Sequence, residues 1–348
     1  MRAMLPTALT SFPGLLRSLR DAHSADLRSR TYRIAAFNPP TVPREVIPVR
    51  AGDGARLRVH AYGSSSDKPV IVLVHGWTCC LEYWNPQINA FAGEYRVIAY
   101  DQRGHGESEY GSSELSMDLL ADDLAAVLDA SLAPGQRAVL VGHSLGGMTL
   151  QAWAGRYPER VARQAQAVLL TNTAADRLIL ETTVVPLLNR PWRMLQLKVP
   201  LPFLFGRLGL GAPMVFPPIA PVRWLFARQI LSTAAKGELL DFSMAIVRSC
   251  PARVRSRFGF LLATMDVGES ARNLVVPTTV LSGQFDDMTP PVHSERIVEL
   301  LRQTGSLVRY QMLPTGHLGN VEAYERFNEE LGRLLAEVGK RARADLAG

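Results

Sequence analysis

The sequence predicts an α/β fold: an open, mostly parallel sheet of eight strands with helices on both faces and an inserted helical lid. Three observations carry this. Short apolar runs alternate with segments of helical period along most of the chain. Val70–Val74 is an unbroken run of Val, Ile and Leu, as a strand buried on both faces requires. Residues 176–274, rich in Pro, Arg, Leu and Phe, break the alternation and are too long for a simple connection.

The elements follow in order. Val46–Val49 and Leu57–Tyr62 flank the turn signal Asp53-Gly54 and read as a hairpin. Val70–Val74 and Tyr95–Tyr100 read as buried strands. Leu115–Leu132 places Leu115, Leu119, Leu120, Leu124, Val127 and Leu128 at helical spacing before the stop Pro134-Gly135. Ala138–Val141 is a strand, Leu145–Tyr157 a helix and Ala167–Thr171 a strand. The lid has helical stretches at Pro221–Leu231 and Gly237–Arg248. Val275–Ser282 and Leu307–Leu313 are the last strands, with helices at Pro291–Arg302 and Glu322–Val338.

Composition narrows the class. The chain has 348 residues, 47% of them hydrophobic and 20% charged, with three cysteines. That excludes disordered, collagen-like and coiled-coil proteins. Adjacent Cys79 and Cys80 with a distant Cys250 make neither a disulfide scaffold nor a zinc spacing, and read as buried packing. No apolar run reaches the roughly 20 residues of a membrane span, and Pro6, Pro13 and Arg17 interrupt any signal-peptide core. The expected location is cytoplasmic.

The net charge of +6 is uneven: residues 1–37 carry +4, residues 176–274 carry +7, and the remainder −5. The chain thus divides into a basic amphipathic arm (1–37), a core (38–175 and 275–348) and a lid (176–274). In the arm, Leu15, Leu16, Leu19 and Leu27 oppose Arg17, Arg20, Arg28 and Arg30. Two readings are open: a membrane-surface helix, or a helix packed on the domain. The basic segments point to peripheral contact with anionic membrane or to an acidic substrate. No nucleic-acid motif appears, so nucleic acid is not an expected partner.

The chemistry starts at Gly142-His143-Ser144-Leu145-Gly146, a G-x-S-x-G sequence between a buried strand and a helix. Small residues on either side allow the sharp turn, and Ser144 then projects at a helix N-terminus. A serine nucleophile needs a base, and the base needs an orienting acid. Of seven histidines, His317 in Pro314-Thr315-Gly316-His317 follows the last strand, on the same edge of the sheet as Ser144. His75 and His143 read as loop packing, His60 lies on an early strand, and His293 opens a helix. The acid comes from Ser282–Pro290, where Asp286 is preferred, between Gly283 and Pro290, with Asp287 as runner-up. An oxyanion hole needs two backbone N–H donors. Leu145, after the nucleophile, supplies one, and Trp77 in His75-Gly76-Trp77 supplies the other. Tyr83 and Trp84 pack near the site or line its pocket.

Together these residues resemble the α/β-hydrolase family. The order Ser144, Asp286, His317 is the family's order, and His75-Gly76-Trp77 resembles its oxyanion loop. Asp101-Gln102-Arg103-Gly104-His105-Gly106-Glu107-Ser108 resembles its D-x-R-G-x-G-x-S turn, which is mainly architectural. The resemblance covers roughly 45–175 and 275–338. Members that open epoxides or displace halide carry Asp at the elbow, so Ser144 implies acyl transfer without metal or organic cofactor. The expected activity is hydrolysis of carboxylic esters, with small-molecule ester or lipid substrates and an apolar acyl tunnel under the lid formed from residues between Val184 and Phe226. Carbon–carbon bond hydrolysis, thioester hydrolysis and cofactor-free perhydrolysis use the same constellation. A non-catalytic binding protein on this fold is the alternative from another class, and would be favoured by loss of one of the three residues.

Overall fold

The computed structural model describes residues 23–64, 68–183, 219–232 and 237–347. Its strands are β1 (Arg44–Arg50), β2 (Arg56–Tyr62), β3 (Val70–Val74), β4 (Val97–Tyr100), β5 (Ala138–His143), β6 (Ala165–Thr171), β7 (Thr278–Gly283) and β8 (Leu307–Leu313). They form one eight-stranded sheet in the order β1-β2-β4-β3-β5-β6-β7-β8. β2 pairs antiparallel with β1 and β4, and every other pair is parallel. The expected eight-stranded, mostly parallel sheet flanked by helices is the observed one.

Strand periodicity builds two cores. Val70, Val72 and Val74 face one layer, with Leu124, Trp153 and Ile297 from helices Met117–Ser131, Leu145–Arg156 and Pro291–Gln303. Ile71 and Leu73 face the other, with Ile88 from Asn85–Phe91 and Phe327, Leu331 and Leu334 from Tyr324–Ala347. Every residue of β3 is therefore buried, which is why its sequence does not alternate.

Among the described residues, four α-helices lie between β6 and β7: Leu178–Glu181, Ala220–Ile230, Glu238–Arg248 and Ala252–Thr264. Phe242 and Ile246 join the second core, while Val254 and Phe258 join the first. The apolar lid residues Val184 to Phe216 lie outside the described residues, as does the arm up to residue 22. Residues 23–29 are helical. There Leu27 is buried, Arg28 pairs with Glu82 at 3.1 Å, and His23 Nε2–H donates to the Ala245 carbonyl at 2.9 Å. That part of the arm packs on the domain. Among the described residues, no helix is long and apolar enough to cross a membrane.

Some boundaries move. β7 starts at Thr278, not Val275, because Pro277 has no N–H for the ladder and Val275 is 60% exposed. β4 starts at Val97, not Tyr95, whose N–H is taken by the Phe91 carbonyl as the preceding helix ends. The last helix is two: Gly319–Glu322, then Tyr324–Ala347 after a break at Ala323 (φ −123°, ψ 50°). Helix Ala252–Thr264 went unread, since its arginines mask the apolar stripe of Val254, Phe258 and Leu262.

Candidate active site

The chain leaves β5 at His143, turns at Ser144 (φ 53°, ψ −120°) and enters helix Leu145–Arg156. A non-glycine residue in such a conformation costs about 1–3 kcal/mol, which the surroundings must offset. Two glycines make the turn possible. A Cβ on Gly142 would lie 2.6 Å from Leu150 Cδ1, and one on Gly146 would lie 2.0 Å from the Val74 carbonyl oxygen.

The residues singled out in the sequence meet here. His317 Nε2 lies 2.9 Å from Ser144 Oγ, and His317 Nδ1–H faces both Asp286 carboxylate oxygens at 3.0 and 2.9 Å. The Asp286 carboxylate also accepts from the Met288 and Thr289 backbone N–H groups (2.9 Å each), Thr289 Oγ1 (2.7 Å) and Asn172 Nδ2 (2.9 Å). Burial works against its charge, but the His317 imidazole and these donors outweigh burial and hold the carboxyl below the usual range. Asp287 turns away: its carbonyl accepts from Thr183 N–H at 2.8 Å and its carboxylate takes the Thr183 hydroxyl.

The loop after β3 lies against the serine turn. A Cβ on Gly76 would sit 2.8 Å from His143 Nδ1 and 3.0 Å from Ser144 Cβ. Among the described residues nothing accepts a hydrogen bond from the Trp77 backbone N–H. Leu145 heads its helix, where first-turn N–H groups have no intrahelical acceptor. Trp77 follows Gly76, the residue that abuts Ser144, and Leu145 follows Ser144 itself. The Trp77 indole N–H donates to the Arg255 carbonyl at 3.1 Å, anchoring the loop to helix Ala252–Thr264.

Histidines of the inner loops are structural. His75 Nδ1–H donates to the Gly76 carbonyl (2.8 Å), and Nε2 accepts from Gln102 N–H (3.0 Å). His105 Nε2 accepts from Thr78 N–H at 3.2 Å. Burial pushes His75 down to about 3 and His105 to about 4, so both are neutral supports of the loop. Asp101 is likewise architectural, accepting from Leu81 N–H (2.6 Å), Glu107 N–H (2.9 Å) and Arg58 (3.1 Å). Tyr83 and Trp84 are fully buried, with Tyr83 packed on the His143 ring. The three thiols are buried, and burial pushes Cys79 and Cys80 up. Among the described residues, no group of three or more His, Cys, Asp or Glu is placed to hold a metal ion.

Sequence reasoning missed Asn172. Its Nδ2 donates to Asp286 Oδ2 and to the Gly316 carbonyl (3.1 Å), bridging the acid's loop to the base's. Its signal was positional: it is the first residue after β6, on the edge that carries Ser144, and its φ of 48° suits an asparagine.

Comparison with known proteins agrees with this architecture. A family model described as alpha/beta hydrolase fold matches residues 69–198. A bifunctional esterase/perhydrolase of Acinetobacter calcoaceticus is 30% identical over 298 residues, covering 81% of this chain and 97% of that protein. A 3-oxoadipate enol-lactonase of Acinetobacter baylyi is 27% identical, covering 79% of this chain and 92% of its own length. Among solved structures, a thermophilic esterase from Thermogutta terrifontis aligns with a TM-score of 0.64 at 23% identity, over 85% of this chain and 99% of that one.

Proposed function

The chain belongs to the α/β-hydrolase fold family, and from that membership we propose that it is a serine hydrolase of carboxylic esters with apolar acyl groups. One observation carries the reading: Ser144 Oγ, His317 and Asp286 form a continuous hydrogen-bonded line, with 2.9 Å at each of its two links. In this mechanism His317 Nε2 takes the Ser144 proton as Oγ attacks the ester carbonyl. The Asp286 carboxylate stabilises the imidazolium. The N–H groups of Trp77 and Leu145 stabilise the tetrahedral oxyanion. His317 then protonates the departing alcohol, leaving an acyl group on Ser144. It next takes a proton from water, which attacks the acyl-enzyme and releases the acid.

The same reading takes 38–175 and 275–348 as the hydrolase core and 176–274 as a lid over the carboxyl edge of the sheet. Lid and arm carry the excess positive charge, and their partner is an anionic lipid surface. On helix Ala220–Ile230, Trp224 and Leu225 are exposed beside Arg228, which supports that contact. A second reading is favoured by the Acinetobacter calcoaceticus relative: hydrogen peroxide replaces water on the acyl-enzyme and leaves as the peracid.

The test is fluorophosphonate labelling of the purified chain and its Ser144→Ala variant, followed by an ester series from acetyl to lauroyl. Labelling lost in the variant, with turnover rising along the series, is the expected result. Labelling that survives in Ser144→Ala overturns the mechanism, and activity confined to acetyl and propionyl esters overturns the apolar-acyl preference. Peracid formation with added peroxide separates the second reading from the first.

A further inference from the structure

The turn that ends helix Ala220–Ile230 rests on the loop that carries His317. The His317 backbone N–H donates to the Ile230 carbonyl at 2.7 Å. A Cβ on Gly316 would lie 2.5 Å from the Leu231 carbonyl carbon, so only a glycine lets the two backbones approach this closely. Glu322, at the end of the short helix after His317, closes the contact. Its two oxygens accept from the Ser232 backbone N–H at 2.9 and 3.1 Å, and one also accepts from the Gly316 N–H at 2.9 Å.

All four polar backbone groups of Gly316 and His317 are therefore held. The core holds the two carbonyls, through Asn172 Nδ2 at 3.1 Å and His143 Nε2–H at 2.8 Å. The two N–H groups are held differently. One goes to the insertion directly, at Ile230, and the other to a carboxylate that the insertion shares, through Ser232. The Ser232 side chain bonds the same carboxylate, and burial raises the Glu322 pKa against these donors.

We propose that Glu322 is a positioning residue: its carboxylate couples the Ile230–Ser232 turn to the His317 loop, so that the aim of the imidazole at Ser144 depends on where helix Ala220–Ile230 sits. This deepens the serine-hydrolase reading of the same site and rests on it. Without Glu322 the carbonyl side of the His317 segment stays fixed while its N–H side loses one of two restraints. The imidazole then swings about that edge relative to Ser144 Oγ. Small misplacements of this kind slow chemistry far more than they weaken binding.

The experiment compares the full-length chain with Glu322→Gln and Ser232→Pro. The proline variant removes both Ser232 contacts to the carboxylate, the backbone N–H and the side chain, and leaves Glu322 and the histidine loop unchanged in sequence. Leu231 already has the extended conformation (φ −111°, ψ 174°) that a following proline demands. Both variants are expected to unfold near the wild-type temperature, to lose roughly 10- to 100-fold in kcat and in fluorophosphonate labelling rate, and to leave KM within about threefold. Amide hydrogen exchange at Gly316 and His317 is expected to quicken in both. Folded variants with wild-type kcat overturn the proposal. If the wild-type chain itself is not labelled, the hydrolase reading fails, and the exchange measurement still decides the coupling: faster exchange supports it, unchanged exchange overturns it.

Discussion

The His143 imidazole donates through Nε2–H to the backbone carbonyl of His317 at 2.8 Å. A carbonyl only accepts, so the contact fixes the proton on Nε2 and leaves Nδ1 as a bare lone pair packed against Gly76. The residue before the serine thus braces the base after the last strand. His143→Ala is expected to lower kcat about 10-fold with little change in KM, and to destabilise the fold by about 1–3 kcal/mol because the carbonyl loses its donor. His143→Gln, whose amide can donate from a similar place, should recover part of the rate. Steady-state kinetics on both variants checks this, and a rise in KM at constant kcat would count against the bracing role.

The buried histidines should make stability fall as the pH drops below about 6.5. Burial pushes His75, His105 and His143 to about 3, 4 and 3 respectively. Unfolded, each titrates near 6.5. Above that pH both states are neutral and these groups contribute no pH dependence. Below it only the unfolded chain binds the protons, so stability drops until the pH passes the folded values. The slope is up to roughly 1.4 kcal/mol per pH unit for each histidine. Asp286, held below the usual carboxylate range, adds to the loss only below about pH 4. Urea midpoints at pH 7.5, 6 and 5 measure the trend, and a flat midpoint across that range would contradict it.

Much of this architecture is legible in the sequence because it is encoded locally. Val70–Val74 can only be a strand buried on both faces, and Gly142 and Gly146 announce the turn between them. Two kinds of feature are not local. Val275 and Val276 continue an apolar run, yet Pro277 and exposure to solvent put the strand's start at Thr278. Asn172 in its loop and Glu322 at the end of its short helix are single polar residues with partners far along the chain: Asp286 and Gly316 for one, Ser232 for the other. Sequence spacing says nothing about such contacts, because the sheet order creates them.

Adjacent carboxylates give a sharp comparison. Asp286 faces His317 Nδ1 at 2.9 Å, while Asp287 is turned toward Thr183. Their chemistry is identical in the sequence, and the turn after β7 separates them. Asp286→Asn places an amide where the imidazole N–H needs an acceptor, and kcat/KM is expected to fall by about 10⁴-fold. Asp287→Asn is expected to stay within about threefold of wild type, since a change away from the reacting atoms leaves transition-state stabilisation intact. Equal losses in the two variants would refute the assignment.

Arg103 tests the frame beneath the site. Its guanidinium is fully buried, bonded to both Asp123 oxygens at 2.7 Å and to Asp53 at 2.9 Å. Removing one partner leaves a buried charge short of acceptors, so Asp123→Ala is expected to cost about 3–5 kcal/mol. Replacing the whole buried group with uncharged residues, Arg103→Met with Asp123→Leu and Asp53→Asn, should cost less than the single change. Urea denaturation of the two variants settles the order, and a milder single variant would show that water or Asp53 compensates.

Gly76 is where the oxyanion loop and the serine turn compete for space. A Cβ there meets His143 Nδ1 at 2.8 Å and Ser144 Cβ at 3.0 Å, both closer than ordinary contact. Neither neighbour can retreat: His143 is tied to the His317 carbonyl, and Ser144 is held by its N–H bond to the Thr171 carbonyl at 3.0 Å. The loop must therefore shift, carrying the Trp77 N–H with it. Gly76→Ala is expected to lower kcat by roughly 10²-fold, as loss of one oxyanion donor does. Labelling of Ser144 by a fluorophosphonate should slow in parallel, since that adduct also places an oxygen in the hole. Binding of a substrate that makes its contacts elsewhere should change little. Stability is the control: the shifted loop stays anchored by Trp77 Nε1 to Arg255, so near-wild-type unfolding with a collapsed rate is the expected pair of results. A variant that keeps its rate would place the oxyanion donor elsewhere than Trp77.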